Sequence, residues 1–125
     1  MNFCTAVNCM DGRVQIPVIN YLKERCGVEY VDMVTEPGPN GILAGQSKPD
    51  LIHSILERID ISVQKHGSRH IAVIGHHDCA GNPAGKDKQD SDTRKAVEFL
   101  RQKFTGLTVI GLWVDENWKV VGLEV

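Results

Sequence analysis

The sequence predicts an α/β protein: a three-layer fold around a mostly parallel sheet of order 2-1-3-4, with an antiparallel edge strand 5. Three observations predict it. Short apolar runs alternate with segments of helical period; "HIAVIG" is continuously apolar, as a strand covered on both faces should be; and two short apolar runs flank "DEN" near the C-terminus.

Taken in order, "NFCTAVNC" is a first strand, and "IPVINYLKERCG" a helix with Pro17 near its start and Gly27 just past its end. "VEYVDMVT" reads as a second strand. The Gly- and Pro-rich "EPGPNGILAGQSK" reads as a loop, with Ser47 capping the next helix. From Pro49, apolar residues at 51, 52, 55, 56, 59 and 63 mark that helix as amphipathic and ending near Gly67. "IDISV" inside it alternates like a strand, but the longer period prevails. "HIAVIG" is the third strand, and "SDTRKAVEFLRQKF" a third helix, with Ser91 or Asp92 as N-cap and Ala96, Val97, Leu100 and Phe104 on its apolar face. "LTVIGLWVDENWKVVGLEV" closes the chain as a hairpin. Its last strand, "WKVVGLEV", would lie at the edge with Trp118, Val120, Val121, Leu123 and Val125 available to a partner, so a homodimer or higher homo-oligomer is expected.

The 125 residues suit one domain, 1–125, able to bury a core without disulfide or metal staples. Net charge is −2 with no basic block, which argues against nucleic acid or an anionic membrane as partner and favours a small molecule. No run approaches the roughly 20 apolar residues of a membrane-spanning helix, and no export signal opens the chain, so a cytoplasmic protein is expected. There, Cys4, Cys9, Cys26 and Cys79 would be thiols, metal ligands or redox groups rather than structural disulfides. Cys4 and Cys26 lie in apolar patterns and read as buried inert thiols.

Function is expected where the strand order reverses, because adjacent loops part there beyond the carboxyl ends of the strands. Strands one and three meet at that point. Strand one ends in "CMDGR" (9–13) and strand three in "GHHDC" (75–79), so Cys9, one histidine and Cys79 converge. Thiolate and imidazole are zinc ligands, and two ligands three residues apart can turn inward from one short loop. That spacing prefers His76 over His77 without deciding between them. The bland readings are a structural histidine after a buried strand and, for Asp11 and Arg13, a surface salt bridge of little energetic worth. "GPNGILAGQSK" lacks the G-K-[ST] ending of a phosphate-binding loop, and turn glycines are its simpler reading.

C-x-D-x-R after the first strand and H-x-x-C after the third, in this order and context, resemble the β-class carbonic anhydrases over most of the chain. The resemblance implies zinc on Cys9, His76 and Cys79, with Asp11 and Arg13 as a catalytic dyad. His77 would be outer-shell, substrate-side or solvent-facing, and Asp78 a loop-stabilising or exposed carboxylate. It further implies reversible hydration of carbon dioxide to bicarbonate by a zinc-bound hydroxide, with Asp11 accepting a hydrogen bond from the nucleophile and Arg13 holding Asp11. In a closed state Asp11 would itself be the fourth zinc ligand, giving a pH-dependent exchange. The chain differs from the family's usual pattern at Gly12, where Ser is common; at "TEPGPNG", where an Arg-Asn-Ala-Gly segment is common; and at "CAG", where Cys-Gly-Gly is frequent. It also begins without the helical arm that often wraps a partner subunit, as a minimal, divergent member would. Three alternatives accompany this reading: a zinc hydrolase of carbonyl sulfide or carbon disulfide, a closed structural or regulatory zinc protein, and a Cys9–Cys79 redox pair.

Overall fold

The structure, a computed structural model, describes residues 2–125. Five strands form one sheet: β1 (Phe3–Cys9), β2 (Tyr30–Glu36), β3 (His70–His76), β4 (Thr108–Val114) and β5 (Val120–Leu123). Their spatial order is β2-β1-β3-β4-β5, parallel except for the antiparallel β4–β5 pair, as the sequence predicts. Helices α1 (Gln15–Cys26), α2 (Pro39–Gly45), α3 (Pro49–His66) and α4 (Lys86–Lys103) provide the connections.

The alternation of side chains along the central strands divides the core in two. Cys4, Ala6, Ala72, Ile74 and Leu112 face α1, where Val14, Val18 and Leu22 meet them. Val7, Ile71, Val73 and Val109 face the other way, against Leu43 of α2, Ile52, Ile55 and Ile59 of α3, and Ala96, Val97 and Leu100 of α4. This gives the three expected layers, and each fully buried Leu or Ile contributes about 1.5–3 kcal/mol.

Helix ends follow local chemistry at Gly27 and Gly67, which close α1 and α3 at φ 64° and 71°, a left-handed conformation that costs glycine least. Three expectations need correction. The segment read wholly as a loop contains α2: Pro39 starts it, Gly38 before it and Gln46 after it are left-handed, and Leu43 anchors it in the core. Gly and Pro signals masked a short helix whose stability comes from packing rather than propensity. Ser47 is exposed and does not cap α3, whose N-cap position is Lys48 with no side-chain cap bond. The last long helix starts at Lys86, not at Ser91 or Asp92; Gly85 precedes it, and Lys86–Asp90 and Lys88–Asp92 pairs one turn apart support the additional turn.

Pairing between β1 and β3 runs only from Thr5↔Ile71 to Val7↔Val73, although both strands continue to Cys9 and His76. The two strands therefore part at their carboxyl ends, while β3 stays paired with β4 as far as His76↔Val114. That parting is the crevice expected at the reversal of strand order.

Candidate metal centre

Cys9, His76 and Cys79 meet in the crevice, each buried, with one ligand atom from each lying within 4.8 Å of the others. Among the described residues this is the one cluster of three or more such side chains that could hold a metal ion. Cys9 ends β1 and His76 ends β3; Asp78, left-handed at φ 58°, then reverses the chain so that Cys79 turns back inward. An Asp tolerates that conformation better than most residues. His77 and Asp78 are exposed on this turn, so His76, rather than His77, is the histidine brought to the cysteines.

The donor set and its spacing fit zinc. The two sulfurs are 3.9 Å apart, close to the roughly 3.8 Å between two thiolates that each lie about 2.3 Å from a tetrahedral ion. They are free thiols, much farther apart than the about 2.05 Å of a disulfide. His76 Nδ1 is 2.8 Å from the His77 carbonyl oxygen, which makes Nδ1 the protonated nitrogen and leaves Nε2 with its lone pair free. Nε2 is buried and has no hydrogen-bond partner. An orphaned buried acceptor beside two thiols is costly unless something electrophilic sits between them.

Cys9 is held as the thiolate of the pair. Hydrogen bonding from Cys79, against the opposing effect of burial, and then the neighbouring His76 imidazole and the backbone amides of Gly38 and Asp11, pull its thiol down to about 4. As the donor partner, Cys79 is pushed upward. Its sulfur receives the Asn82 amide at 3.3 Å. Backbone amides aimed at sulfur favour the charged thiolates that a metal requires.

Asp11 and Arg13 lie on the turn that leaves Cys9. The Asp11 carboxylate accepts the Arg13 amide at 2.9 Å, capping the helical turn Gly12–Val14, and accepts the guanidinium through Nη2 at 2.7 Å and Nε at 3.1 Å. These bonds hold its carboxyl down to about 2. Arg13 also reaches the Asp78 carboxylate at 3.3 Å and the Asp78 carbonyl at 3.1 Å, which joins the two strand-end loops. Asp78 is thus both exposed and loop-stabilising. The carboxylate of Asp11 is turned to Arg13 and is not part of the Cys9–His76–Cys79 cluster.

Several residues that shape the crevice carry no sequence motif. Gln15 Nε2 donates to the Cys9 and Asp11 carbonyls at 2.7 and 3.0 Å. Trp118 is not in the edge strand: it is left-handed in the β4–β5 turn, with its ring 4.4 Å from the Arg13 guanidinium carbon. Gly38 and Gly81 let two backbones touch; a Cβ on Gly81 would lie 2.3 Å from the Pro37 carbonyl carbon. Glu36, in the segment that departs from the family pattern, is ion-paired with Arg58 of α3 and is engaged structurally.

A family model described as "Putative carbonic anhydrase" matches residues 1–124. The chain belongs to this carbonic anhydrase family. No curated protein matches the sequence. Among solved structures, the chain is similar to a carbonic anhydrase from Glaciozyma antarctica (TM-score 0.63, 17% identity, covering 97% of this chain and 81% of that one). It is also similar to the β-carbonic anhydrase CafA of the fungal pathogen Aspergillus fumigatus (TM-score 0.66, 16% identity, 97% and 74% covered). A third similarity is to tetrameric β-carbonic anhydrases from the filamentous ascomycete Sordaria macrospora (TM-score 0.60, 16% identity, 98% and 80% covered). At these identities the likeness shows the fold, which is that of the β-carbonic anhydrases. Among the described residues, no helix is long and apolar enough to cross a membrane.

Proposed function

We propose that residues 1–125 form one zinc-binding domain that reversibly hydrates carbon dioxide to bicarbonate, with Cys9, His76 and Cys79 holding the metal. The observation that carries this reading is the unpartnered His76 Nε2, buried beside two thiols spaced for a tetrahedral ion. Three protein ligands with a fourth position left over is the composition of catalytic rather than structural zinc sites. When bound, zinc would supply Lewis acidity, lowering the pKa of water to about 7 in favourable sites.

The chain's own groups then have separate tasks. The His77 carbonyl fixes the His76 tautomer, and the amides of Gly38 and Asn82 keep the sulfurs in their ligating form. Asp11, whose carboxyl is held down to about 2, would accept a hydrogen bond from the O–H of the attacking water and so aim the oxygen lone pair at the carbon. Arg13 keeps that carboxylate in place and turned away from the metal position, braced by Asp78 and the Trp118 ring. This arrangement favours the open reading over the one in which Asp11 closes the site.

A cytoplasmic setting, where thiols remain reduced, suits two cysteine ligands. A homo-oligomer is also inferred, supported by the free edges of β2 and β5 and by Met10 and Ile16, large apolar side chains exposed beside the crevice. Gel filtration at micromolar concentration is expected to give a multiple of the chain mass; a monomer overturns that inference.

The functional test measures zinc per chain together with stopped-flow carbon dioxide hydration across pH, for wild type and for Asp11→Ala and Cys9→Ser. The expected result is one zinc per wild-type chain with hydration activity, metal without activity in Asp11→Ala, and neither in Cys9→Ser. Stoichiometric zinc without hydration at any pH overturns the reaction, and full metal content in Cys9→Ser overturns the ligand assignment.

A further inference from the structure

The parting of β1 from β3 creates a difficulty that the site must solve. In a parallel strand, the N–H and C=O of one residue point to the same neighbouring strand, and those of the next residue point to the opposite one. His77 donates its N–H to the Val114 carbonyl of β4 at 2.9 Å. The N–H and C=O of His76 therefore point the other way, toward β1. But β1 last pairs with β3 at Val7↔Val73, so it supplies His76 with no rung. Two buried backbone groups of the residue that offers the imidazole would be left without partners.

Gln89 of α4 fills that place. It is completely buried; its Oε1 accepts the His76 N–H at 3.1 Å and its Nε2 donates to the His76 carbonyl at 2.7 Å, reproducing with a side-chain amide the pair of bonds a strand would make. The amide is itself held on both sides. Asn40 Nδ2 lies 3.3 Å from Gln89 Oε1 and 3.1 Å from Thr93 Oγ1, while Gln89 Nε2 also reaches the Asn82 and Ala84 carbonyls at 3.2 and 3.3 Å. Asn82 is the residue whose amide meets Cys79 Sγ. Gly75 makes room for this group: a Cβ there would lie 3.1 Å from Gln89 Oε1 and 2.9 Å from Asn40 Nδ2.

We infer that Gln89 is a positioning residue for the metal centre: a surrogate strand that fixes the backbone of His76 and the loop carrying Cys79 at the place where β1 has withdrawn to open the crevice. This rests on the proposed zinc site. The mechanical consequence is that the position of His76 Nε2 depends on α4, not only on the sheet. Removing the amide should let the end of β3 relax, so that the imidazole no longer meets both sulfurs at ligating distance.

The test loads wild type, Gln89→Met, Gln89→Glu and Thr93→Val with zinc and, separately, with cobalt(II). Affinity is read by competition with a chromophoric chelator, ligand geometry by the cobalt d–d and sulfur charge-transfer bands, and folding by thermal unfolding. Gln89→Met should lose about 10–100-fold in zinc affinity, the usual effect of removing a residue that orients a ligand, and its cobalt bands should shift and weaken. Gln89→Glu, which keeps the size but not the amide donors, should lie between it and wild type. Thr93→Val removes a bond from the same buried network without touching His76; it should lower the melting temperature and leave affinity and spectrum as in wild type. In the metal-loaded wild type, the Gln89 side-chain amide protons should also exchange far more slowly than those of exposed glutamines, a measurement that needs no variant to fold. Wild-type affinity and spectrum in Gln89→Met, an equal loss in Thr93→Val, or fast exchange of the Gln89 amide overturns the inference while leaving the zinc reading intact. A wild type that takes up neither zinc nor cobalt overturns the functional reading, and the inference with it.

Discussion

The chain contains two neighbouring pairs of cysteines, and they have been given opposite surroundings. Cys4, on β1, and Cys26, at the end of α1, sit on the α1 side of the sheet, packed among Ala6, Leu22 and Val28. Cys9 and Cys79 lie where β1 and β3 have parted, among backbone amides, a histidine with a free nitrogen and the Asp11–Arg13 pair. Cys4, Cys9 and Cys79 are buried, whereas Cys26, expected to be a buried inert thiol, is only partly buried because it ends α1 at the protein surface; burial alone therefore does not mark out the second pair. What distinguishes Cys9 and Cys79 is a third donor and a break in the sheet, which together give two sulfurs the surroundings that could hold a cation.

Making the second pair like the first should have the largest effect. Cys9→Ser should cost zinc affinity more than the roughly 10–100-fold that outer-shell changes cost, whereas Cys26→Ala should leave it unchanged, both read by chelator competition. Next in size, Asp11→Asn should retain zinc within a few-fold but lower kcat/KM for hydration by about 100-fold or more, the scale of a lost proton-accepting or orienting group; stopped flow on the zinc-loaded variant measures it. Gly81→Ala tests whether the close approach of two loops holds the site. Its Cβ would press on the Pro37 carbonyl carbon at 2.3 Å, so a stability loss of about 1–3 kcal/mol is expected in denaturant melts. The smallest effect concerns the first pair. Hydrogen bonding from Cys4, helped by the nearby Arg25, pulls the partly exposed Cys26 thiol down to about 7. Its alkylation by iodoacetamide should rise with pH as the thiolate forms through that value, while zinc protects Cys9 and Cys79 at the same pH.

Much of the fold was legible because its signals are local. Gly27 and Gly67 end helices where the apolar period stops, and "HIAVIG" is apolar throughout because both faces of β3 are covered. The candidate metal cluster was legible for a different reason: ligand chemistry is carried by few residue types, and the strand-end positions of Cys9, His76 and Cys79 could be placed side by side from the order of elements. Helix α2 was not legible, since Gly38, Pro39 and Gly41 speak for a loop and only Leu43 and Asn40, docked against α3 and α4, hold the segment helical. Gln89 left a faint signal. It continues the buried stripe Thr93, Ala96, Val97 and Leu100 one turn toward the helix start, and a long polar residue on a buried stripe asks for buried partners. Gly81 left none, because the backbone it accommodates is more than forty residues away in sequence.

By itself, the sequence determined the alternation of strands and helices, the reversal between β1 and β3, and the chemical types gathered there. These depend on side-chain periodicity and on the intrinsic chemistry of sulfur, imidazole and carboxylate. Only the tertiary structure decided that β1 and β3 separate after Val7 and Val73, that Gln89 occupies the space so opened, and that Asp11 faces Arg13 instead of joining Cys9, His76 and Cys79. Each of those outcomes pairs buried polar groups across long sequence distances, and no local pattern records which partner a buried group will find.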